Sequence, residues 1–490
     1  MAALGEAAAA CPAGPAVPSV PAAAPGAAPA VSLARSPAEA RRAARTRMLL
    51  EAPIPGTLAK LAAPNVIAMA TTAATSIAEG YFAGLIGVSA LAGLALAFPV
   101  VMLTQMLSAG AMGGAISSAV ARALGAGDAA RADRLLLHAV VIGVGFAALT
   151  AALMGLFGAT LFRLLGGGEA ALPQAMAYAA VFFPGCICHW LCNAQISAIR
   201  GTGNMFLPAL ALFCAAAGSI PIGGALALGW GPFPALGMAG LAAGQVSSFG
   251  LAGLGAFAYI ASGRAGFSLT RAFGRLQAAL FADILRVGLM AALSTVQTVL
   301  TIVVMVGLVG RFGETALAGY GLGARLEFLM VPVVFGIGAA MTAMVGANVG
   351  AGRKARALRV AWTGSLAAAA LVGGIGALVA AAPDLWLGLF LGPEDTEALA
   401  AGRLYFRTVG PFYAFFALGL ALYFASQGAG RVFWPSVAGF ARLALAVGGG
   451  ALLSGPLGGG LGGVFAAIAA GMLAYGVLTA AAIRLGAWGR

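Results

Sequence analysis

The sequence predicts an all-α polytopic membrane protein, with twelve transmembrane helices in two six-helix lobes related by a parallel internal repeat. Three observations carry that prediction. The first is composition: 61% of the 490 residues are apolar and 8% charged, where a soluble domain would carry about 25% charged residues. The second is the recurrence of apolar runs long enough to cross a hydrocarbon core of about 30 Å as helices. The third is an echo at offsets of 225 to 227 residues. Ala90-Leu91-Ala92-Gly93 returns as Ala316-Leu317-Ala318-Gly319, and Gly125-Ala126-Gly127 with Arg131 returns as Gly350-Ala351-Gly352 with Arg356. Pro184, Gly201, Gly203 and Pro208 meet Pro411, Gly428, Gly430 and Pro435. Duplicated halves in so apolar a chain are the mark of membrane proteins that rock one half against the other.

The elements follow in order. Residues 1–47 are rich in Ala and Pro and close with Arg35, Arg41, Arg42, Arg45 and Arg47. No basic start precedes an apolar block, so the stretch is read as a disordered cytoplasmic arm and not as a secretory signal. Cys11 lacks the apolar segment that a lipoprotein anchor needs. Six helices are expected near 57–80, 89–121, 135–162, 170–199, 205–229 and 236–261, making a lobe over 48–262. A basic linker at 263–282 leads to a second lobe at 283–490, with helices near 283–309, 315–346, 357–382, 396–426, 433–454 and 459–484.

Loop charge orients the predicted helices. One side gathers Arg122, Arg131, Arg134, Arg200, Arg264, Arg271, Arg275, Arg353, Lys354, Arg356, Arg359 and Arg431, while the other holds little beyond Arg163 and Arg311. Positive loops stay in the cytoplasm. Both termini are therefore expected inside, with the chain a multi-pass protein of the inner (plasma) membrane. The net charge of +13 is accounted for by topology, so nucleic acid is not an expected partner. The expected partners are lipid and small organic molecules, and the expected state is a monomer.

Cys186, Cys188 and Cys192 gather beside His189 on the fourth predicted helix. A metal or redox site is one reading, and packing by small residues, the usual role of buried Cys, is the expectation. Cys214 stands alone, and no disulfide framework is implied. No catalytic triad, phosphate loop or metal motif points to an enzyme, and no cofactor is expected.

Several motifs together resemble the multidrug and toxic compound extrusion (MATE) family. They are Pro64, Glu79-Gly-Tyr-Phe-Ala-Gly84, Ala90-Leu-Ala-Gly93, Arg122-Ala-Leu-Gly-Ala-Gly127, Arg200-Gly-Thr-Gly-Asn204 and Phe233-Pro-Ala-Leu-Gly-Met-Ala-Gly240. Each motif is mostly Gly and Ala; their order and spacing from about 55 to 485 are what is specific. The resemblance implies a cation-driven antiporter that exports amphipathic, often cationic, organic compounds through a central cleft. A proton or sodium gradient would supply the energy.

Of the fourteen acids, two lie at membrane depth: Glu79 near the end of the first predicted helix and Glu327 midway through the eighth. An intramembrane carboxylate is costly as an ion, so it must pair, protonate or bind a cation. The resemblance implies an Asp where Glu79 stands, which keeps the carboxyl and changes its reach. Asn193 and Gln195 are candidate polar partners for Glu79, and Arg442 or Arg407 for Glu327, whose role is read as either a static ion pair or coupling. In the sodium-driven branch the second-lobe acids would fall on Thr298 and Phe416, and in the archaeal-type branch an Asn and an Asp would fall on Ser219 and Gly223. None of these is an acid. A hard cation wants several oxygen ligands including carboxylate, so protons are favoured over sodium.

Comparing the halves also gives an asymmetry. Glu79 maps onto Met305 and Glu327 onto Val101, so the first lobe is expected to hold the proton site and the second to act as its moving wall. Tyr81, Gln105, Met106, Trp190, Tyr413 and Tyr423 are the candidate cavity residues, since aromatic rings, Met and a few polar groups suit an adaptable site. The competing readings are a lipid-linked precursor flippase and a dedicated metabolite exporter of the same superfamily.

Overall fold

Each long apolar run becomes one helix, because inside a bilayer only a helix satisfies its own backbone. The computed structural model describes residues 37–272 and 275–488, and every regular element among them is helical. A short helix α1 (Pro37–Glu51) precedes twelve helices of spanning length. These are α2 (Ile54–Ile86), α3 (Val88–Gly125), α4 (Ala129–Leu164), α5 (Ala171–Gly201), α6 (Phe206–Leu228) and α7 (Met238–Ala261) in the first lobe. The second holds α8 (Ala278–Gly310), α9 (Glu314–Gly350), α10 (Lys354–Ala381), α11 (Thr396–Ala429), α12 (Phe433–Ser454) and α13 (Gly460–Arg484).

Local chemistry explains the helix ends and breaks. The turn from α3 to α4 needs a left-handed residue, supplied by Gly127 at φ 78°, and the repeated turn uses Gly352 at φ 72°. The Asp128 side chain accepts from the Arg131 N–H at 2.8 Å and caps α4. The backbone at Pro411, which has no N–H to donate, tightens to a 3-10 turn over Gly410–Phe412. Within α3 the stretch Met106–Met112 widens to a π-helix, a distortion often found at functional positions.

The lobes interlock reciprocally at the end of the bundle that carries Arg122, Arg131, Arg353 and Arg356. Leu58 and Leu61 of α2 belong to the core formed mostly by the second lobe. Their repeat equivalents in α8, Ile284 and Val287, belong to the core of the first. Below them α3 and α9 cross with backbone against backbone. A Cβ on Gly125 would lie 2.0 Å from the carbonyl oxygen of Ala347, and one on Gly350 would lie 2.0 Å from that of Arg122. These four positions exchange under the repeat offset, which is what a twofold contact requires. The repeat thus relates the lobes in space as well as in sequence.

Ion pairs and carbonyl contacts fasten the same end. Asp283 of α8 accepts from Arg122 at 2.6 Å and Arg131 at 2.8 Å, both from the first lobe. Helix α1 lies against both lobes: Arg42 donates to Asp133 of α4 at 2.8 Å, and Asn348 of α9 donates to the Leu49 carbonyl at 3.1 Å. Arg353 and Arg356 reach the carbonyls of Leu50 and Ala52 at 3.1 and 2.5 Å.

Two expectations need correction. Residues 37–47 of the expected disordered arm are helical, because Arg42 finds a buried partner in Asp133 and Leu49 inserts into the lobe core. The remainder of that arm, Cys11 included, lies outside the described residues. Arg200, counted among the loop charges, lies in the last turn of α5 and is 3% exposed.

Two outcomes follow from the interlock. Gly125→Val forces a branched side chain into a backbone contact, and overpacking of this kind costs about 1–3 kcal/mol. The variant should melt at lower temperature in detergent and show spin-label distances across the α3–α9 crossing longer than wild type. Asp283→Asn removes the charge that pairs with both Arg122 and Arg131, partly exposed contacts together worth about 1 kcal/mol. The same spin-label pair should report about a fivefold larger population separated at this end, and an unchanged distribution would refute the latch.

Candidate functional site

Glu79 projects into the interior of the first lobe, where four helices meet. Its Oε1 accepts from Gln245 Nε2 of α7 at 2.5 Å, and the Gln245 oxygen in turn accepts from Gln105 Nε2 of α3 at 3.4 Å. From the other side, Asn193 of α5 donates to Ser108 Oγ at 2.9 Å, and Ser108 donates to the Gln105 carbonyl at 3.2 Å. Ser108 lies in the π-helical stretch of α3. Tyr178 of α5 lies near Glu79, and its hydroxyl has no hydrogen-bond partner among the described residues.

Sequence reasoning named Glu79, Gln105 and Asn193, and the structure strings these three into one polar chain. It missed Gln245 and Ser108. The available signal was that Gln245 is the sole amide in α7, a helix otherwise built of small, apolar and hydroxyl residues with one aromatic-rich end. Asn193 does not bond Glu79 directly, contrary to expectation, because Ser108 takes its amide. Gln195 is buried with its oxygen unpartnered.

The second lobe holds a related arrangement. Glu327 of α9 accepts from the Tyr405 hydroxyl of α11. Tyr405 is the repeat equivalent of Tyr178, at an offset of 227. The expected ion pair from Glu327 to Arg442 or Arg407 is not formed among the described residues. Arg442 instead stacks over Phe416 at 4.9 Å and Tyr475 at 5.8 Å, near enough to act on Glu327 through space. Arg407 is exposed. Both lobes set a carboxyl beside the equivalent tyrosine, from α2 in one and α9 in the other.

The candidate cavity residues divide. Tyr81 is 64% exposed, and Gln105 and Met106 are partly buried at the start of the π-helical stretch. Tyr423 packs with Phe424, Ala111 and Ala291 where the lobes touch. Trp190 and Tyr413 are corrections: both are buried inside their lobes, Trp190 stacked on Phe146 at 5.2 Å. The cysteines also pack. Cys186 Sγ reaches the Ala147 carbonyl at 3.7 Å, and the His189 ring stacks on Phe249 at 3.8 Å. Ser219 bonds the Ala216 carbonyl at 2.8 Å and Thr298 that of Ser294 at 2.9 Å, each within its own helix.

The MatE family pattern matches this chain twice, over residues 64–223 and again over 290–451. The chain belongs to the MatE family. The two matches fall one in each lobe, at the spacing of the internal repeat. A curated relative is the FAD transporter of Shewanella oneidensis, 29% identical over 314 residues, covering 63% of this chain and 68% of the relative. Among solved structures, an outward-facing conformation of a multidrug resistance MATE family transporter of the MOP superfamily matches with a TM-score of 0.79 at 22% identity. A MOP superfamily transporter from Pyrococcus furiosus, described as having a binding pocket of reversed polarity, also matches with a TM-score of 0.79 at 22% identity. Each match covers 89% of this chain and 97% of the other, and at such identity they establish the shared fold. The family is one of transporters, and this MatE chain is a membrane transporter.

The polar chain of the first lobe can be tested without a transport assay. Gln245→Leu strands the Glu79 carboxyl and the Gln105 amide without their shared partner. Unmade buried hydrogen bonds cost about 1–3 kcal/mol, so the variant should unfold at lower temperature than wild type. Adding Glu79→Leu should recover part of that loss, because it removes one of the stranded groups.

Proposed function

We propose that this MatE-family transporter is a secondary active exporter that expels amphipathic organic solutes in exchange for protons, with Glu79 as the exchanging carboxyl. The observation that carries the reading is the surroundings of Glu79. Among the described residues it forms no ion pair, and its direct partner is the amide of Gln245. A carboxyl held only by neutral dipoles can gain or lose a proton without stranding another charge. Glu327 is bonded instead by the Tyr405 hydroxyl, with Arg442 stacked over Phe416 and Tyr475. Gln245 presents an N–H toward Glu79 and commits its oxygen to Gln105. That is a poor start for a hard cation's oxygen shell, which favours protons over sodium. One charge moved across 100 mV supplies about 2.3 kcal/mol, enough for exchange when proton and solute occupancy exclude each other.

The lobe contacts described above run from mid-helix to the arginine-rich end, so the reading takes this as the state closed on that face. By the positive-inside rule that face is cytoplasmic, with both termini inside and the protein a monomer in the plasma membrane. Exposed Tyr81, with Gln105 and Met106, would line the path of the solute. A second reading, export of a flavin dinucleotide, is favoured by the named relative from Shewanella oneidensis.

The test is efflux from energised vesicles, with proton and sodium gradients imposed separately, using a cationic dye in one set and FAD in another. Proton-driven efflux should fall at least about tenfold in Glu79→Gln, the loss expected when a group essential to exchange is removed. Undiminished gradient-driven efflux in that variant would sink the assignment of Glu79. Efflux driven by sodium alone would overturn proton coupling, and lipid scrambling without solute movement would favour a flippase.

A further inference from the structure

Arg200 lies in the last turn of α5 at the interlocked face. It is 3% exposed, yet its side chain makes no hydrogen bond or ion pair among the described residues, and its Nε has no partner. It borders a small void between the lobes, about the size of a single water, lined also by Ser117 of α3, Thr342 of α9 and Gln427 of α11. The unmet polar atoms there include Ser117 Oγ and Gln427 Oε1, and Ser197 Oγ one turn before Arg200 on α5. A guanidinium stays protonated in proteins, and an uncompensated buried cation is strongly unfavourable. Among the described residues no carboxylate forms an ion pair with this one.

We propose that Arg200, with the hydroxyls of Ser117 and Ser197, forms a receiving site for a phosphate group, exposed when the lobes part at the arginine-rich face. The site sits on α3 and α5 of the first lobe, and its cover is α9 and α11 of the second, so separating the lobes uncovers it. The covering contacts are those of the interlock: Ser118 Oγ donates to the Gln427 carbonyl at 2.6 Å, and Gln427 Nε2 donates to the Gly110 carbonyl at 3.1 Å. The donor set favours phosphate. A planar guanidinium gives two parallel N–H bonds to an oxyanion, and two hydroxyls can meet the remaining oxygens. The acids at that face are already engaged, Asp133 by Arg42 and Asp283 by Arg122 and Arg131, and Glu79 lies toward the other end of its helix. A phosphate here would arrive as the missing countercharge. The inference deepens the transport reading by naming the anionic group that a solute would present, and it rests on that reading only for the separation of the lobes.

Phosphate could come from a soluble phosphorylated solute or from a lipid headgroup, and the arms of the test separate them. Calorimetric titration of ADP, with adenosine as the control, is done on the full chain in phosphatidylcholine nanodiscs without any gradient. In parallel, native mass spectrometry counts phosphatidylglycerol retained by the protein. ADP should bind at least tenfold more tightly than adenosine, and Arg200→Gln should lose at least tenfold while Arg200→Lys loses less. Asp283→Asn should tighten binding about threefold to fivefold, because it raises the population that is open at this face. Thermal unfolding of unliganded Arg200→Gln should be unchanged or raised, where a structural arginine would lower it. Arg200-dependent retention of phosphatidylglycerol without ADP binding would keep the phosphate site and assign it to lipid. Equal binding by wild type and Arg200→Gln overturns the proposal, as does absence of ADP and lipid binding in both wild type and Asp283→Asn. Should Arg200→Gln fail to fold, Ser117→Ala with Ser197→Ala must weaken binding, and unchanged affinity there overturns it equally. The readout is equilibrium binding, so its failure would leave the gradient-driven test of Glu79 untouched.

Discussion

The structure depends on the backbone crossing of α3 and α9. Gly125 against the Ala347 carbonyl and Gly350 against the Arg122 carbonyl leave no room for a side chain. Because the two contacts exchange under the repeat, one small surface closes on a copy of itself. The other features of that face are arranged around it. The swapped starts of α2 and α8 sit in opposite lobes, Asp283 is gripped from across the seam, and α1 ties to both sides. A contact made of backbone and glycine has little side-chain entropy to lose.

Polar groups inside the lobes follow a different logic. In lipid, a polar side chain without a partner is expensive, and the first lobe answers with a chain running from Asn193 through Ser108, Gln105 and Gln245 to Glu79. The second answers with a single tyrosine bond to Glu327 beside an arginine that stacks on two rings. The tyrosine stands at equivalent places, Tyr178 and Tyr405, while the carboxyl is on α2 in one lobe and on α9 in the other. The lobes have thus diverged in where they place charge and not in how they pack. Arg200 stands outside both solutions, buried at the seam with its Nε unpartnered among the described residues.

Much of the fold was legible from residues alone. Composition, span length and the 225–227 offset gave twelve helices in two lobes, because lipid permits few other answers to so apolar a chain. Glu79 was legible for the same reason, as one of two acids with nowhere to go but the membrane interior. Its partner was not. Hydrogen bonds among Gln245, Gln105 and Ser108 depend on how four helices rotate about their axes, and α7 has no strongly polar face to announce that rotation. The burial of Trp190 and Tyr413 was hidden likewise, since an aromatic in a membrane helix reads the same whether it faces lipid, lobe core or cleft.

The sequence by itself determined the class, the span count, the repeat and the short list of ionisable groups at membrane depth, since these follow from the cost of placing charge and open backbone in hydrocarbon. Tertiary structure alone decided which of those groups are satisfied. It gave Glu79 an amide instead of a cation, turned Arg442 toward aromatic rings, made an ordered strap of residues 37–47, and took Arg200 from an assumed loop into the seam. The physical reason is that a hydrogen bond or ion pair is lost within a few ångströms. Its existence therefore depends on helix rotation and crossing, which apolar helices rich in Gly and Ala do not encode one at a time.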